Sequence, residues 1–102
     1  MNQPAWLTRA KQLEGAGKLK EMEATIKDAI PHLSFAHTIA SLYRDRMARL
    51  KQEGDSTGAA SAYQEAKEWI YFYAAQATSG GEGAALSLER DRFLAELDQA
   101  ES

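Results

Sequence analysis

Apolar residues recur every three to four positions along most of this 102-residue chain, and glycine or proline interrupts the pattern at only a few places. This spacing places the apolar side chains on one face of an α-helix. The composition agrees, because alanine is abundant, valine is absent, and isoleucine and threonine, which strands favour, are few. The sequence therefore predicts an all-α protein.

The interruptions predict about five helices, at roughly residues 4–14, 19–30, 34 to the break at 54, 59–77 and 84–100. Ser34 is the predicted N-cap of the third helix. The segment Gly54–Gly58 is a predicted loop, and Ser79–Gly83 is a predicted flexible connection. Because every connection is short, we expect antiparallel helical hairpins. A chain of this length supports one core, so residues 1–102 are predicted to form a single helical domain.

The first two glycine breaks belong to an internal repeat. When Gly17 is aligned with Gly54, a small or apolar residue follows five positions later, a large apolar residue nine later and alanine twelve later. Upstream, an aromatic residue stands eleven positions before each glycine and a leucine four before. The matching positions are Trp6, Leu13, Met22, Ile26 and Ala29 in the first unit and Tyr43, Leu50, Ala59, Tyr63 and Ala66 in the second.

This pattern resembles the tetratricopeptide repeat, a helix-turn-helix unit in which small residues let two helices pack closely. A third unit would begin at Trp69 and turn at Gly80, although the predicted fourth helix has no break between Ala66 and Trp69. The resemblance implies a protein-binding scaffold, and so short an array leaves an apolar end that favours a homodimer. A simple helix bundle is the alternative fold.

Few residues suggest catalysis or metal binding. Cysteine is absent, and the two histidines, His32 and His37, are five positions apart and do not share a helix face. His37 is instead expected in the first turn of the third helix. We therefore predict a protein that is not an enzyme and that uses no metal or cofactor.

The charge of −3 is unevenly distributed, because residues 31–52 are basic and residues 53–102 are acidic. Arg44, Arg46, Arg49 and Lys51 follow one another on the third helix and could contact phosphates. An acidic pI near 5.3 argues against nucleic acid. A solvated helix face is the preferred interpretation, and weak nucleic-acid binding through residues 44–51 is an alternative.

The segment Trp69–Tyr73 is apolar on both sides of its helix. Ile70 and Tyr73 continue the core stripe, whereas Tyr71 and Phe72 fall on the far side. Either the last helix covers this second side, or Tyr71 and Phe72 form an exposed aromatic patch for a partner chain. Arg90 interrupts the apolar stripe of the last helix, where it must reach solvent or an acidic partner.

These observations predict a protein–protein interaction module, such as an adaptor, a small chaperone or an assembly subunit. The predicted partner-binding residues are Trp69, Tyr71, Phe72, Arg44 and Arg90. An alternative class is a small-ligand-binding bundle or an enzyme, with a pocket where the hydroxyls of Tyr43, Tyr63 and Tyr73 would converge. No signal peptide or membrane span is recognised, so a cytoplasmic protein is expected.

Overall fold

A computed structural model describes residues 4–30, 34–77 and 83–101. It contains five helices, α1 (Ala5–Gly15), α2 (Leu19–Ala29), α3 (Ser34–Gln52), α4 (Ser56–Ala77) and α5 (Gly83–Glu101), and no strand within those ranges. The all-α prediction with about five helices is confirmed. His32, Gly80, most of the connection at 79–83 and the side chain of Leu86 lie outside the described part.

The two repeated glycines adopt the same backbone conformation. Gly17 has a φ of 80° and Gly54 a φ of 85°, in the left-handed region that only glycine enters at little cost. At each turn the residue after the glycine donates its N–H to the leucine carbonyl five positions back, from Lys18 to Leu13 and from Asp55 to Leu50, both at 2.9 Å. These are Schellman caps, which end α1 and α3 in the same way. The glycine alignment made on the sequence therefore places equivalent turns in register.

The start of α4 differs from the predicted loop at residues 54–58. The helix begins at Ser56, because the Asp55 carboxylate accepts a hydrogen bond of 2.9 Å from the Gly58 N–H and caps the first turn. Gly58 therefore lies inside the helix. From there α4 continues unbroken to Ala77, so no turn separates Ala66 from Trp69.

Helix α3 lies at the centre of the fold and contacts each of the other four helices. Its most extensive contact is with α4, and both the α1–α2 hairpin and α5 also pack on it. Successive helices run antiparallel, as Tyr63 with Asp98 and Tyr73 with Glu89 show for α4 and α5. The largest fully buried side chains form one core drawn from α2 to α5: Met22, Ile26, Ile39, Met47, Ile70 and Leu97.

None of the helices, over the residues that the structure describes, combines the length and the apolar character that crossing a membrane would require.

Candidate functional site

An open groove of about 410 Å³ runs between α2 and α4. Three aromatic side chains line it, Phe35 from the start of α3 and Trp69 and Phe72 from α4. Phe35 lies 6.2 Å from Trp69 and 6.3 Å from Phe72, and Trp69 and Phe72 are 5.8 Å apart, all as ring centroids. Phe72 is 40% exposed. The three rings form an aromatic cluster that is open to solvent on one side.

The α2 side of the groove is basic. Lys20 and Lys27 are seven residues apart, which places them on one helix face two turns from each other. The Lys27 ammonium lies 5.2 Å from the Trp69 ring centroid and 5.9 Å from that of Phe35. At these distances a cation is attracted by the ring faces. Lys20 and Lys27 are called the basic rim.

The α4 side of the groove is acidic. Glu65 and Glu68 are three residues apart on the face that also carries Trp69 and Phe72. Neither carboxylate forms an ion pair with another described residue. Burial raises the pKa of Glu65, and the neighbouring carboxylates of Glu23 and Glu68 raise it further. Lys20 and a hydrogen bond from Trp69 oppose this rise in the pKa of Glu65 but do not cancel it. Glu65 and Glu68 are called the acidic rim.

Glu23 lines the same groove but is directed into the protein. Its Oε2 accepts a hydrogen bond of 2.7 Å from the buried Tyr43 hydroxyl, and its Oε1 lies 3.9 Å from the Lys20 ammonium. Burial raises the pKa of Tyr43, as does this hydrogen bond. The Tyr43–Glu23 bond fastens α2 to α3 and fixes the basic rim relative to the aromatic cluster.

The predicted aromatic residues Trp69, Tyr71 and Phe72 do not all lie on one surface. Tyr71 is 48% exposed, so the alternative in which the last helix covers Tyr71 and Phe72 is wrong. Helix α5 instead buries Phe93 and Leu97 against the main core. Tyr71 lies on another part of the α4 circumference and does not line the groove. The structure therefore brings Trp69 and Phe72 together and leaves Tyr71 apart.

The other two predicted partner-binding residues lie away from the groove. The Arg44 guanidinium pairs with Glu96 at 3.0 Å and stacks 5.0 Å from the Phe93 ring centroid, which joins α3 to α5. Arg90 pairs with Asp91 at 3.1 Å on the surface of α5. The acidic partner of Arg90 is therefore the adjacent residue. Neither arginine lines the groove that holds Trp69 and Phe72.

The basic run on α3 is not a uniformly solvated face, which corrects the sequence interpretation. Arg49 donates to both carboxylate oxygens of Glu14, at 2.7 and 2.6 Å, and Arg46 donates to the same carboxylate and to the Glu14 carbonyl oxygen. The hydrogen bonds from Arg49 and Arg46 lower the pKa of Glu14 although burial opposes them. Two of the four basic side chains thus join α3 to α1, which weakens the case for phosphate binding.

The tyrosine hydroxyls do not converge on one pocket. Tyr43 bonds to Glu23, Tyr63 to Asp98 and Tyr73 to Glu89. His37 lies with its ring 5.4 Å from that of Tyr73 and 5.8 Å from that of Phe93, packed between α4 and α5. Among the described residues, no group of three histidine, aspartate or glutamate side chains could hold a metal ion.

Sequence reasoning missed Phe35 and both rims of the groove. Phe35 precedes the apolar stripe of α3 by one position, so the helical period does not place it on the core face. None of the four rim residues, Lys20, Lys27, Glu65 and Glu68, was predicted to belong to a site. A usable signal was present, since Lys20 and Lys27, like Glu65 and Glu68, share a face of their own helix.

Fold and groove together define an all-α protein with a solvent-open aromatic groove between two helices. No protein-family model, curated protein or solved structure matches the chain.

Proposed function

We propose that this protein is a protein–protein interaction module that binds a partner polypeptide in the groove between α2 and α4, and that it acts by binding rather than by catalysis. The observation that carries the proposal is the aromatic cluster in the groove, in which Phe72 is 40% exposed and Phe35 and Trp69 are half-buried. Exposed aromatic side chains in a recess commonly provide most of the binding energy of an interface.

The charged rims support a polypeptide ligand. Partner side chains entering the groove would meet ammonium groups on one wall and carboxylates on the other, which fixes orientation through electrostatic complementarity. The aromatic cluster between them offers an apolar contact that a peptide segment can bury. The proposal includes a second copy of the chain as a partner, and a cytoplasmic location.

The paired glycine turns support a tetratricopeptide-like relationship between the α1–α2 and α3–α4 hairpins, which we include in the proposal. In this interpretation the hairpins form a rigid scaffold, and the groove between their second helices is the recognition surface. Gly17 and Gly54 hold the two turns in the same left-handed conformation.

Selection from a random peptide display library tests the proposal. The wild-type protein is the bait, and Phe72→Ala is the counter-selection bait, because this change removes one exposed ring from the groove. Leu88→Ala is the matched control, since Leu88 is an exposed apolar residue on α5 outside the groove. We expect enriched peptides that bind Phe72→Ala roughly 30-fold more weakly, as for an interface residue worth about 2 kcal/mol, and bind Leu88→Ala unchanged.

A second readout uses Trp69 itself. In a Trp6→Phe variant, Trp69 is the only tryptophan, so its emission should shift when a selected peptide covers the groove. Peptides that bind wild type and Phe72→Ala equally well, or a library that yields no enrichment over that variant, would overturn the proposed function.

A further inference from the structure

We propose that the groove is a self-complementary surface, and that two copies of the chain associate through it with the basic rim of each copy facing the acidic rim of the other. This inference rests on the proposed function, because it names the partner of the same groove. It predicts the symmetry of the dimer and the residue pairs that meet across it.

The charge pattern of the groove carries the inference. One wall bears Lys20 and Lys27 and the other bears Glu65 and Glu68, so the surface presents opposite charges on its two sides. The remaining charged residue, Glu23, is already held by the Tyr43 hydroxyl at 2.7 Å. Two copies of such a surface are complementary when the second copy is rotated so that its acidic rim faces the basic rim of the first.

Only one class of two-fold axis makes that exchange. An axis that lies in the interface and crosses the helices would place α2 over α2 and α4 over α4, so that like charges would meet. An axis parallel to the helices lays α2 of one copy over α4 of the other. Two-fold dimers use the same patch on both chains, so every favourable contact is then made twice.

The rims also match along the groove. Within one copy, Lys27 lies at the level of Trp69, at 5.2 Å from its ring, and Lys20, two turns earlier on α2, lines the groove with Glu65, one turn before Trp69 on α4. Residue numbers therefore rise in the same direction along α2 and α4. Rotation about an axis parallel to them keeps these levels, so Lys20 of one copy faces Glu65 of the other, and Lys27 faces Glu68 and Trp69.

The apolar and charged groups have different roles in this arrangement. Burial of Phe72 and the exposed edges of its neighbours in the cluster supplies affinity. The rims select the orientation and disfavour the alternative axis, because like charges in contact oppose association. Isolated surface ion pairs add little stability. Reversing the charges of a whole rim should therefore weaken the dimer mainly through repulsion between like charges.

Light scattering on charge-reversed variants tests the inference. Wild type should have twice the 11.3 kDa chain mass at high concentration, and Phe72→Ala should shift it towards the monomer. The doubly changed proteins Lys20→Glu/Lys27→Glu and Glu65→Lys/Glu68→Lys should each dissociate at least roughly tenfold more readily, because like charges then face each other. An equimolar mixture of the two should regain the dimer mass, since the reversed rims complement one another.

Carbodiimide cross-linking of the unaltered protein gives a test that does not depend on variant folding. In a mixture of nitrogen-15-labelled and unlabelled chains, links from Lys20 or Lys27 to Glu65 or Glu68 that join one heavy and one light peptide show contact between copies. A monomeric wild type would overturn the inference and leave the peptide-selection test of the proposed function standing. A dimer with no such links, or one unchanged by both reversals, would show that the copies meet through another face.

Discussion

Replacing Glu14 by glutamine should destabilise the fold far more than an average surface change. The Glu14 side chain is 9% exposed and lies between two arginines of α3. Glutamine keeps the size of the side chain but loses the charge, and its amide N–H groups would face the guanidinium donors of Arg46 and Arg49. One acceptor oxygen remains for the guanidinium groups, but both ion pairs and at least one of the three hydrogen bonds to the carboxylate are lost.

The structure sets the magnitude of this effect. Breaking a well-buried ion pair from one side costs about 3–5 kcal/mol. The Arg49 side chain is 43% exposed and can regain hydration, whereas Arg46 is 19% exposed and recovers less. Discounting the solvent-screened part, we expect a loss of about 2 kcal/mol in the free energy of unfolding, and a fall in Tm of about 10 °C.

Urea unfolding followed by circular dichroism at pH 7 measures this loss. Glu53→Gln is the matched control, because Glu53 pairs with the same Arg49 at 3.8 Å but its side chain is 59% exposed. That control should cost under about 0.5 kcal/mol. If Glu14→Gln and Glu53→Gln are equally stable within that margin, the argument from burial is refuted.

The stabilisation that Glu14 provides should depend on pH. Arg49 and Arg46 lower the pKa of Glu14 below its ordinary value of 4.5 in the folded state. The stabilisation is therefore complete above the unfolded-state pKa and disappears as pH falls through the folded-state pKa. The difference in the free energy of unfolding between wild type and Glu14→Gln should be largest at pH 7 and should decrease below about pH 4.5.

Three further experiments test individual parts of the fold. Gly17→Ala places a side chain in the left-handed region and should lower the free energy of unfolding by about 1 kcal/mol. Gly15→Ala is its control, because Gly15 lies within α1 and no atom is near the added methyl group, so this change should be neutral or stabilising in the same urea experiment. Tyr43→Phe removes a buried hydrogen bond to Glu23 and should cost about 1–2 kcal/mol; an unchanged urea midpoint would show that this bond adds no stability. Asp55→Ala removes the cap of α4 and should cost about 1 kcal/mol, and a loss close to zero would show that the cap is dispensable.

Local patterns in the sequence predicted the helices well and the ends of the helices less well. Periodicity located all five helices because each buries an apolar face, and the glycine alignment located two equivalent turns. The start of α4 was misplaced, because Gly54–Gly58 has the composition of a loop. A single side-chain bond from Asp55 is enough to begin the helix earlier.

Contacts between distant residues were not predictable in this way. The carboxylate of Glu14 and the arginines of α3 are more than thirty positions apart, so no helical period relates them. A weaker signal did exist, since Glu14 stands four residues after the buried Ala10 and Glu23 four after Leu19, both on apolar faces. A charged residue on such a face needs a partner from another helix, although the sequence does not say which one.

The central position of α3 has a consequence for folding. The backbone of the α1–α2 hairpin contacts, within the described ranges, only α3 beyond itself. Its buried side chains Met22 and Ile26 belong to the core cluster to which α3 contributes Ile39, Tyr43 and Met47. The hairpin should behave as a separate cooperative unit that opens at lower free energy than the α3–α4 pair, so its amide hydrogens should exchange with solvent first.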